Sequence, residues 1–437
     1  MPAKKSSSIS DDPITFLKSL FDIAVRSAAP ANTLASHLPQ PPDPTKGRTF
    51  VVAAGKAAAS MARALETEWP SDAPLSGVAL TRYGHACECH RIEVIEAAHP
   101  VPDNRGHDAA KRVLAEARAL GADDLLLCLI SGGGSSLLAL PVHGISLEDK
   151  KELNRQLLMS GAPIGHMNVL RKHVSAIKGG RLAAAAAPAR VVTLAISDVP
   201  NDDLSTIASG PTVPDTSTTA KARELVEHYN LDLPDSILQH LANPQAETPK
   251  PDHPAFQRAQ AIIIAKPEDM LHRLEQLLRE RDIAVLSLGA DIEGEARTVG
   301  TDHGRLARTI AEDTSPPGAH LILSGGETTV TVKPNTQPGQ GGRNCEYLLA
   351  LTIALDGHKG IFAIAADTDG IDGSQTNAGA IVTPDTLKRA RALGLDPQAM
   401  LNGHDSYTFF EALGDLIVTG PTLTNVNDFR AIWIDKT

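Results

Sequence analysis

At 437 residues the chain is longer than one ordinary core, so two domains are expected. Its 41 basic and 52 acidic residues leave a formal charge of −11, which argues against a nucleic-acid or anionic-membrane surface and points to small-molecule ligands. The four cysteines, Cys87, Cys89, Cys128 and Cys345, follow no disulfide framework, no apolar run is long enough to span a bilayer, and the start M-P-A-K-K-S-S-S lacks a signal-peptide apolar core; a cytoplasmic protein with a frayed polar start is expected.

The first periodic stretch, Asp12 to Ala29, puts Phe16, Leu20, Ile23 and Val25 at roughly helical spacing and predicts a helix stopped by Pro30. Beyond a proline-rich connector, Thr49 to Ala54 reads as a strand. Gly55-Lys56 then opens an alanine-rich helix, which would set Lys56 at the carboxyl edge of a sheet. Strands are predicted at Gly77 to Leu80 and Ile92 to Glu96. Between them H-A-C-E-C-H, with His85, Cys87, Cys89 and His90, is too cramped for the usual ligand spacing of a structural zinc site.

The strongest signal is Asp124 to Leu138. Leu125 to Ile130 is uninterruptedly apolar, as expected of a strand buried on both faces of a parallel sheet. Ser131, Gly132, Gly133, Gly134, Ser135 and Ser136 form the turn at its carboxyl end. Three glycines allow positive φ and close backbone approach to a ligand, the serines can cap the helix that follows, and unpaired N–H groups suit an anion such as phosphate. The turn lacks the third glycine of the dinucleotide fingerprint and the Lys-Ser or Lys-Thr of a P-loop.

Two helical stretches end in R-K-H-V-S-A-I-K-G-G-R-L, where Arg171, Lys172, Lys178 and Arg181 make a basic patch in an acidic protein. The strand Val191 to Ile196 runs into S-D-V-P-N-D-D, with Asp198 at its carboxyl end and Asp202 and Asp203 just after. Such carboxylates beside a phosphate loop suit Mg²⁺. Proline density at Asn243 to Pro254 suggests a boundary, dividing the chain into 1–250 and 251–437.

Strand and helix alternate again in the second half. Strands are predicted at Ala261 to Ala265 and Ile283 to Leu288, a helix from about Glu293, and a strand His320 to Leu323 entering S-G-G-E. Thr328 to Lys333 alternates like an edge strand, and G-Q-G-G-R-N-C-E opens a leucine-rich helix. Ile361 to Ala366 is another buried strand, followed by D-T-D-G-I-D-G, whose three aspartates exceed what a turn requires. The fold class is therefore α/β, with two α/β domains and mainly parallel sheets.

From about Phe16 to Trp433 the motifs G-K-A-A, E-A-A-H-P-V-P-D, L-I-S-G-G-G-S-S, R-K-H-V-S-A-I-K-G-G-R-L, S-D-V-P-N-D-D, S-G-G-E, G-G-R-N-C-E and A-A-D-T-D-G-I-D-G occur in that order. The series resembles the glycerate 2-kinase family, whose members carry a C-terminal MOFRL domain and some of which are called hydroxypyruvate reductases. A local departure is A-K-P after Ala265, where a polar or asparagine-containing turn is expected.

The resemblance implies a Rossmann-like N-terminal domain, a MOFRL domain at about 318–430, and an active site in the cleft between the two domains. It implies ATP as phosphoryl donor, Mg²⁺, and D-glycerate converted to 2-phosphoglycerate. The family's active-site lysine falls on Lys56 and its active-site arginine on Arg343. In that frame Ser131 to Ser136 and Lys178 would bind the nucleotide, and Asp198 and Asp367 the metal. Arg343 would bind the glycerate carboxylate or the γ-phosphate, Glu327 and Asn344 would bind glycerate, and Asp367 or Asp372 would orient or accept the hydroxyl proton, with Asp372 carried as catalytic. No nucleic-acid or membrane partner is implied, and a homo-oligomer is compatible.

Two other readings compete. An NAD(P)H-dependent hydroxypyruvate reductase needs a G-x-G-x-x-G turn, which the sequence does not supply. A non-catalytic carboxylate-binding protein has little use for the acidic and basic turns of both halves.

Overall fold

In a computed structural model of the protein, the described residues are 12–313, 319–332 and 338–436. They form two compact units. One is Pro30–Ala265; the other runs from Lys266 and includes the N-terminal helix α1 (Pro13–Ser27). Among the described residues no helix is long and apolar enough to cross a membrane.

The Pro30–Ala265 unit is built on a six-stranded sheet of β1 (Thr49–Ala54), β2 (Leu75–Arg82), β3 (Ile92–Ala97), β4 (Leu125–Ile130), β5 (Arg190–Ile196) and β6 (Ala259–Ala265). Every pair is parallel, in the order β3-β2-β1-β4-β5-β6. The direction of winding therefore reverses between β1 and β4, and in open α/β sheets the crevice outside the carboxyl ends at such a reversal is where ligands bind. β1 and β4 are buried at every position, as their apolar runs require, and Ala54 pairs with Ile130, so the turns after the two strands leave at one level.

Helices flank the sheet. α2 (Ala58–Glu68) buries its alanines, and α3 (Asn104–Arg118) is capped by Asp103, whose carboxylate accepts the Gly106 N–H at 3.0 Å. α4 (Gly134–Leu137) is a single turn. α5 (Leu147–Met159) begins with a reciprocal Ser146–Asp149 capping box, and with α6 (Ile164–His173) it buries Leu153, Leu157, Leu170 and Val174 in a core of their own.

The proline-dense stretch 243–254 is not where this unit ends. The chain crosses it in short turns of 3₁₀ helix and returns as β6 beside β5; the division falls between Ala265 and Lys266. Proline forbids regular structure locally but does not say which sheet the next strand joins. Pro30, expected as a stop, instead starts the helical turn Pro30–Thr33 after α1 has closed at Ser27.

The second unit has a mixed sheet of β7 (Ala284–Ser287), β8 (Ala319–Ser324), β9 (Ile361–Asp367), β10 (Gly379–Val382), β11 (Leu416–Ile417) and β12 (Asp428–Asp435), in the order β11-β10-β9-β12-β8-β7. Only β7–β8 is parallel. The expectation of mainly parallel sheets thus holds for the first unit and not for this one. An apolar run reports burial on both faces, and a central antiparallel strand such as β12 is equally buried. Of the expected edge strand at Thr328, Thr329 makes a single bridge to Glu295, while Lys333 lies outside the described residues.

α1 packs on this unit, with Phe16 edge-on to Trp433 at a ring separation of 5.2 Å. α7 (Ala296–Glu312) crosses α8 (Arg343–Leu355) closely because Gly300 has no side chain: a Cβ there would stand 2.1 Å from the Tyr347 carbonyl oxygen.

Candidate active site

The turns after β1 and β4 are locked together by glycine. Gly55 has φ +134°, and a Cβ on it would fall 2.2 Å from Ser131 Oγ and 2.5 Å from the Ser131 carbonyl oxygen. With no Cβ in the way, the Lys56 N–H donates to the Gly132 carbonyl at 2.8 Å and the Ala57 N–H to Ser131 Oγ at 3.0 Å. Gly133 has φ +82°. A Cβ there would sit 3.0 Å from His99 Nε2 and 3.5 Å from Lys56 Cγ, so the lysine chain and the imidazole flank this glycine. Among the described residues the amides of Gly132 and Gly133 meet no protein acceptor. Lys56 and the glycine turn, singled out separately in the sequence, are thus one structure at the point where the sheet order reverses.

The serines have other tasks than the capping expected of them. The residue before α4 is Gly133, which offers no side chain. Ser131 clamps the two turns, Ser136 Oγ donates to the Gly133 carbonyl at 3.1 Å, and Ser135 Oγ shares a 2.9 Å hydrogen bond with Ser209 Oγ. Lys178, expected to touch the nucleotide, is fully buried and donates to the Ser135 carbonyl at 2.6 Å, so it braces the loop from beneath.

Above the loop lies a cavity of about 670 Å³, walled by Gly132, Gly133, His99, Asp198 and residues of α5 and α6. Two of its cations are Lys150 and Arg171. Lys150 is 2% exposed and has no acceptor among the described residues. Burial, and then the charge of Arg171, pull its pKa down to about 8. The Lys178 pKa is driven well below the usual lysine range by burial first, then by Lys150 and Arg171.

Sequence reasoning passed over Lys150, because L-E-D-K-K-E reads as a solvated helix face. The available signal was its phase: it lies three residues after Leu147 and three before Leu153, on the buried stripe. The expected basic patch is not a surface. Lys172 pairs with buried Asp215 at 3.4 Å, and Arg181 donates to the Ala246 carbonyl at 2.7 Å.

Asp198 lines the cavity, as its place after β5 suggested, while Asp203 folds back onto Ser205 and Thr206. Among the described residues no three His, Cys, Asp or Glu gather as a metal cage. A single carboxylate facing a phosphate loop fits Mg²⁺, which takes most of its ligands from phosphate and water.

In the second unit Arg343 opens α8 amid carboxylates. Its Nε donates to Asp428 at 2.9 Å, Nη1 to Glu327, and Nη2 to Asp367 at 2.8 Å. Burial works to lower the Arg343 pKa, but Asp428, Asp367 and Glu327 override it and hold it well above the usual arginine range. Asn344 is fully buried; its Nδ2 donates to Asp428 at 2.8 Å and its Oδ1 has no partner among the described residues.

Two of the carboxylates expected to take part in the chemistry belong to this cluster. Asp372 accepts the N–H groups of Asn344 and Cys345, each at 2.9 Å, so it anchors the start of α8. Burial raises its pKa in spite of those two bonds. Asp367 is likewise held, by Arg343 Nη2 and the Asp369 N–H. Asp428 and Arg430, at the head of β12, were missed; their motif N-D-F-R looks like an ordinary strand entry. Asp428 stands opposite Asp367 in the β9–β12 ladder, and Arg430 lies over the Tyr347 ring at 5.2 Å.

A parallel sheet wound in this order, with a lysine and a glycine turn at its reversal point, defines a doubly wound α/β protein. Residues 16–242 match a domain of unknown function, DUF4147, and residues 320–428 match the MOFRL family. The chain is 50% identical to a protein of Agrobacterium vitis with a provisional hydroxypyruvate reductase name, over 96% of this chain and 94% of that one. It is 39% identical to the D-glycerate 2-kinase of Thermotoga maritima, over 87% of this chain and 89% of the relative. The crystal structure of a glycerate kinase from Thermotoga maritima matches with a TM-score of 0.82 at 36% identity, covering 96% of this chain and 100% of that one. The chain belongs to the glycerate 2-kinase family and carries its MOFRL domain at the C-terminal end.

Proposed function

We propose that this enzyme transfers the γ-phosphoryl group of ATP to the 2-hydroxyl of D-glycerate, giving 2-phosphoglycerate and ADP. The observation that carries this reading is the joined turn at the sheet reversal, where Lys56 flanks a glycine whose amide and that of Gly132 have no protein acceptor among the described residues. Phosphoryl transfer asks for positioning and charge neutralisation rather than covalent chemistry, and those groups supply both. Lys56 would balance charge on the transferred group and the Gly132–Gly133 amides would hold phosphate oxygens. Asp198 would hold Mg²⁺, which supplies charge neutralisation when bound.

Arg343 would take the glycerate carboxylate by exchanging one of its own carboxylates for it. Glu327 is the one to yield, since its side chain is 50% exposed while Asp367 and Asp428 are buried. The same exposure makes Glu327, rather than Asp372, the group of this cluster best placed to orient the hydroxyl proton. All four cysteines are free thiols, which fits a reducing, cytoplasmic setting.

The reductase reading loses support at the same turn. A dinucleotide fold places G-x-G-x-x-G after β1 and an acidic residue at the end of β2. Here β1 is followed by the single Gly55, and β2 ends in Thr81-Arg82. The test is to incubate the protein with ATP, Mg²⁺ and D-glycerate and identify the product by ³¹P NMR. Glycerate-dependent ADP and 2-phosphoglycerate are expected; NADH oxidation by hydroxypyruvate with no ADP formed would overturn the reading.

A further inference from the structure

The loop between β2 and β3 carries H-A-C-E-C-H, a cluster of thiols and imidazoles that the proposed chemistry does not use. Residues 85–89 have no regular structure, yet the loop and the strand that leads into it are tied to the Lys56 turn and to α2, the helix that follows it. At the end of β2, the Leu80 carbonyl accepts the Gly55 N–H at 3.2 Å and Thr81 Oγ1 donates to the Lys56 carbonyl at 3.4 Å. Cys89 Sγ lies 3.8 Å from the carbonyl oxygen of Ala59, in the first turn of α2. Glu66, near the other end of α2, accepts the N–H groups of His90, Arg91 and Ile92 at 2.7, 2.6 and 2.7 Å.

Cys87 and Cys89 are both partly exposed, whereas Cys128 and Cys345 are fully buried. Residues two apart in a chain stand at most about 7 Å apart at Cα, within the span a disulfide bridges. The two thiols already meet, Cys89 donating to Cys87. That bond is the largest influence on each: it pulls the Cys87 pKa below the ordinary thiol value, against burial and with help from Arg63 of α2, and it pushes that of Cys89 up. Cys87 is therefore the member that ionises, and Cys89 keeps its proton. A partly exposed thiolate beside a cation, with a second thiol in contact, has the parts of a nucleophilic and a resolving cysteine. Among the described residues no third His, Cys, Asp or Glu joins them as a metal cage.

We infer that Cys87 and Cys89 form a reversible oxidation site for hydrogen peroxide, and that its closure disturbs the turn of α2 that follows Lys56. The Cys87 thiolate attacks one peroxide oxygen: an S–O bond forms, the O–O bond breaks, hydroxide leaves and Cys87 becomes a sulfenic acid. The Cys89 sulfur then attacks the Cys87 sulfur. An S–S bond forms, the S–O bond breaks, and the Cys89 proton leaves with the hydroxyl as water. The two sulfurs give up two electrons, the peroxide takes them, and a dithiol reductant reverses the change. A partly exposed disulfide is of the labile kind that such a reductant reopens. Once it forms, Cys89 has no S–H for the Ala59 carbonyl and Cys87 no charge for Arg63, so two links between the loop and α2 are lost. The consequence for activity rests on the kinase reading, in which Lys56 acts at one place; the thiol chemistry does not.

The test treats the full chain with a small excess of hydrogen peroxide, maps its cysteines by peptide mass spectrometry, and assays glycerate phosphorylation with and without dithiothreitol. A Cys87–Cys89 disulfide is expected, with Cys128 and Cys345 still reduced. Oxidation should lower kcat/KM about tenfold or more, since a misplacement of about 1 Å can cost roughly 10²-fold, and dithiothreitol should restore it. Cys89→Ser should stop at a Cys87 sulfenic acid that dimedone traps. Cys87→Ser should form no disulfide and keep its activity under peroxide, and both variants should match reduced wild type before treatment. Peroxide that leaves Cys87 a thiol, or carries it to sulfinic acid with Cys89 still free, overturns the site. A disulfide that leaves kcat/KM unchanged overturns its tie to Lys56. The two readings fail separately: a reversible disulfide in a protein whose reduced form makes no phosphorylated product would sink the kinase and leave the site. A reduced enzyme that makes 2-phosphoglycerate but never forms the disulfide would do the reverse.

Discussion

Arg343 Nε and Asp428 Oδ1 lie 2.9 Å apart, and the other oxygen of the same fully buried carboxylate takes Arg430 Nη2 at 2.7 Å. One carboxylate thus compensates two guanidiniums and holds the first on the residue that opens α8. Asp428→Ala should cost roughly 3–5 kcal/mol, as breaking a buried pair does, because it leaves Arg430 with only a neutral hydroxyl and carbonyls. Urea unfolding measures this directly. A loss under about 1 kcal/mol would mean that Arg430 is satisfied by those neutral groups.

How much of this was legible in the sequence depends on what each signal encodes. β1 and β4 were read at their observed ends because each apolar run gives way at once to a glycine-containing turn, which is a local signal. Gly55-Lys56 and Ser131–Ser136 were found as turns because glycine punctuation is local. Their mutual clamp was not legible, since it depends on β1 and β4 being neighbours, which only the strand order supplies. The surroundings of Asp372 were not legible for the opposite reason: three aspartates in one turn look alike in sequence, and only the start of α8 distinguishes Asp372.

Gly55 gives the second prediction. With φ +134° and Ser131 Oγ 2.2 Å from where a Cβ would stand, Gly55→Ala must push the two turns apart. A loss of about 1–3 kcal/mol is expected from strain and overpacking, with activity falling further than stability because Lys56 moves with the turn. Gly165→Ala is the control. It sits in α6 with nothing within 4 Å of an added Cβ, and should be neutral or stabilising by about 0.5–1 kcal/mol. Equal melting curves for wild type and Gly55→Ala would show that the clamp yields without cost.

Lys150 gives a pH prediction with a definite sign. Burial, then Arg171, hold its folded pKa near 8, below the ordinary value of 10.5. Below pH 8 the side chain is charged in both states and its burial penalty is constant. Between 8 and 10.5 the unfolded chain binds the extra proton, so this residue's contribution to stability rises with pH, by up to a few kcal/mol. Lys150→Met should therefore be more stable than wild type at pH 7, and the advantage should shrink as pH climbs through that window. Urea unfolding of both proteins at pH 7, 8, 9 and 10 checks it; a difference that stays constant across the series would show that Lys150 is not the titrating group.

Asp198 and Lys56 should fail differently in the kinase assay. Asp198 is on the cavity wall after β5, and a carboxylate that holds Mg²⁺ beside phosphates can be partly replaced by mass action. Asp198→Asn should raise the Mg²⁺ concentration for half-maximal rate, and added Mg²⁺ should restore part of kcat/KM. Lys56 is fixed by its backbone bond to Gly132 and its packing beside Gly133, so its charge acts at one place. Lys56→Ala should lower kcat/KM roughly 10²-fold or more, as the loss of a preorganised electrostatic donor does, and no Mg²⁺ concentration should recover it. Titrating Mg²⁺ against rate for both variants separates the two roles. If Lys56→Ala were rescued by Mg²⁺ while Asp198→Asn showed the wild-type metal dependence, the lysine would be serving the metal-bound phosphates, and the carboxylate would have no part in holding the metal.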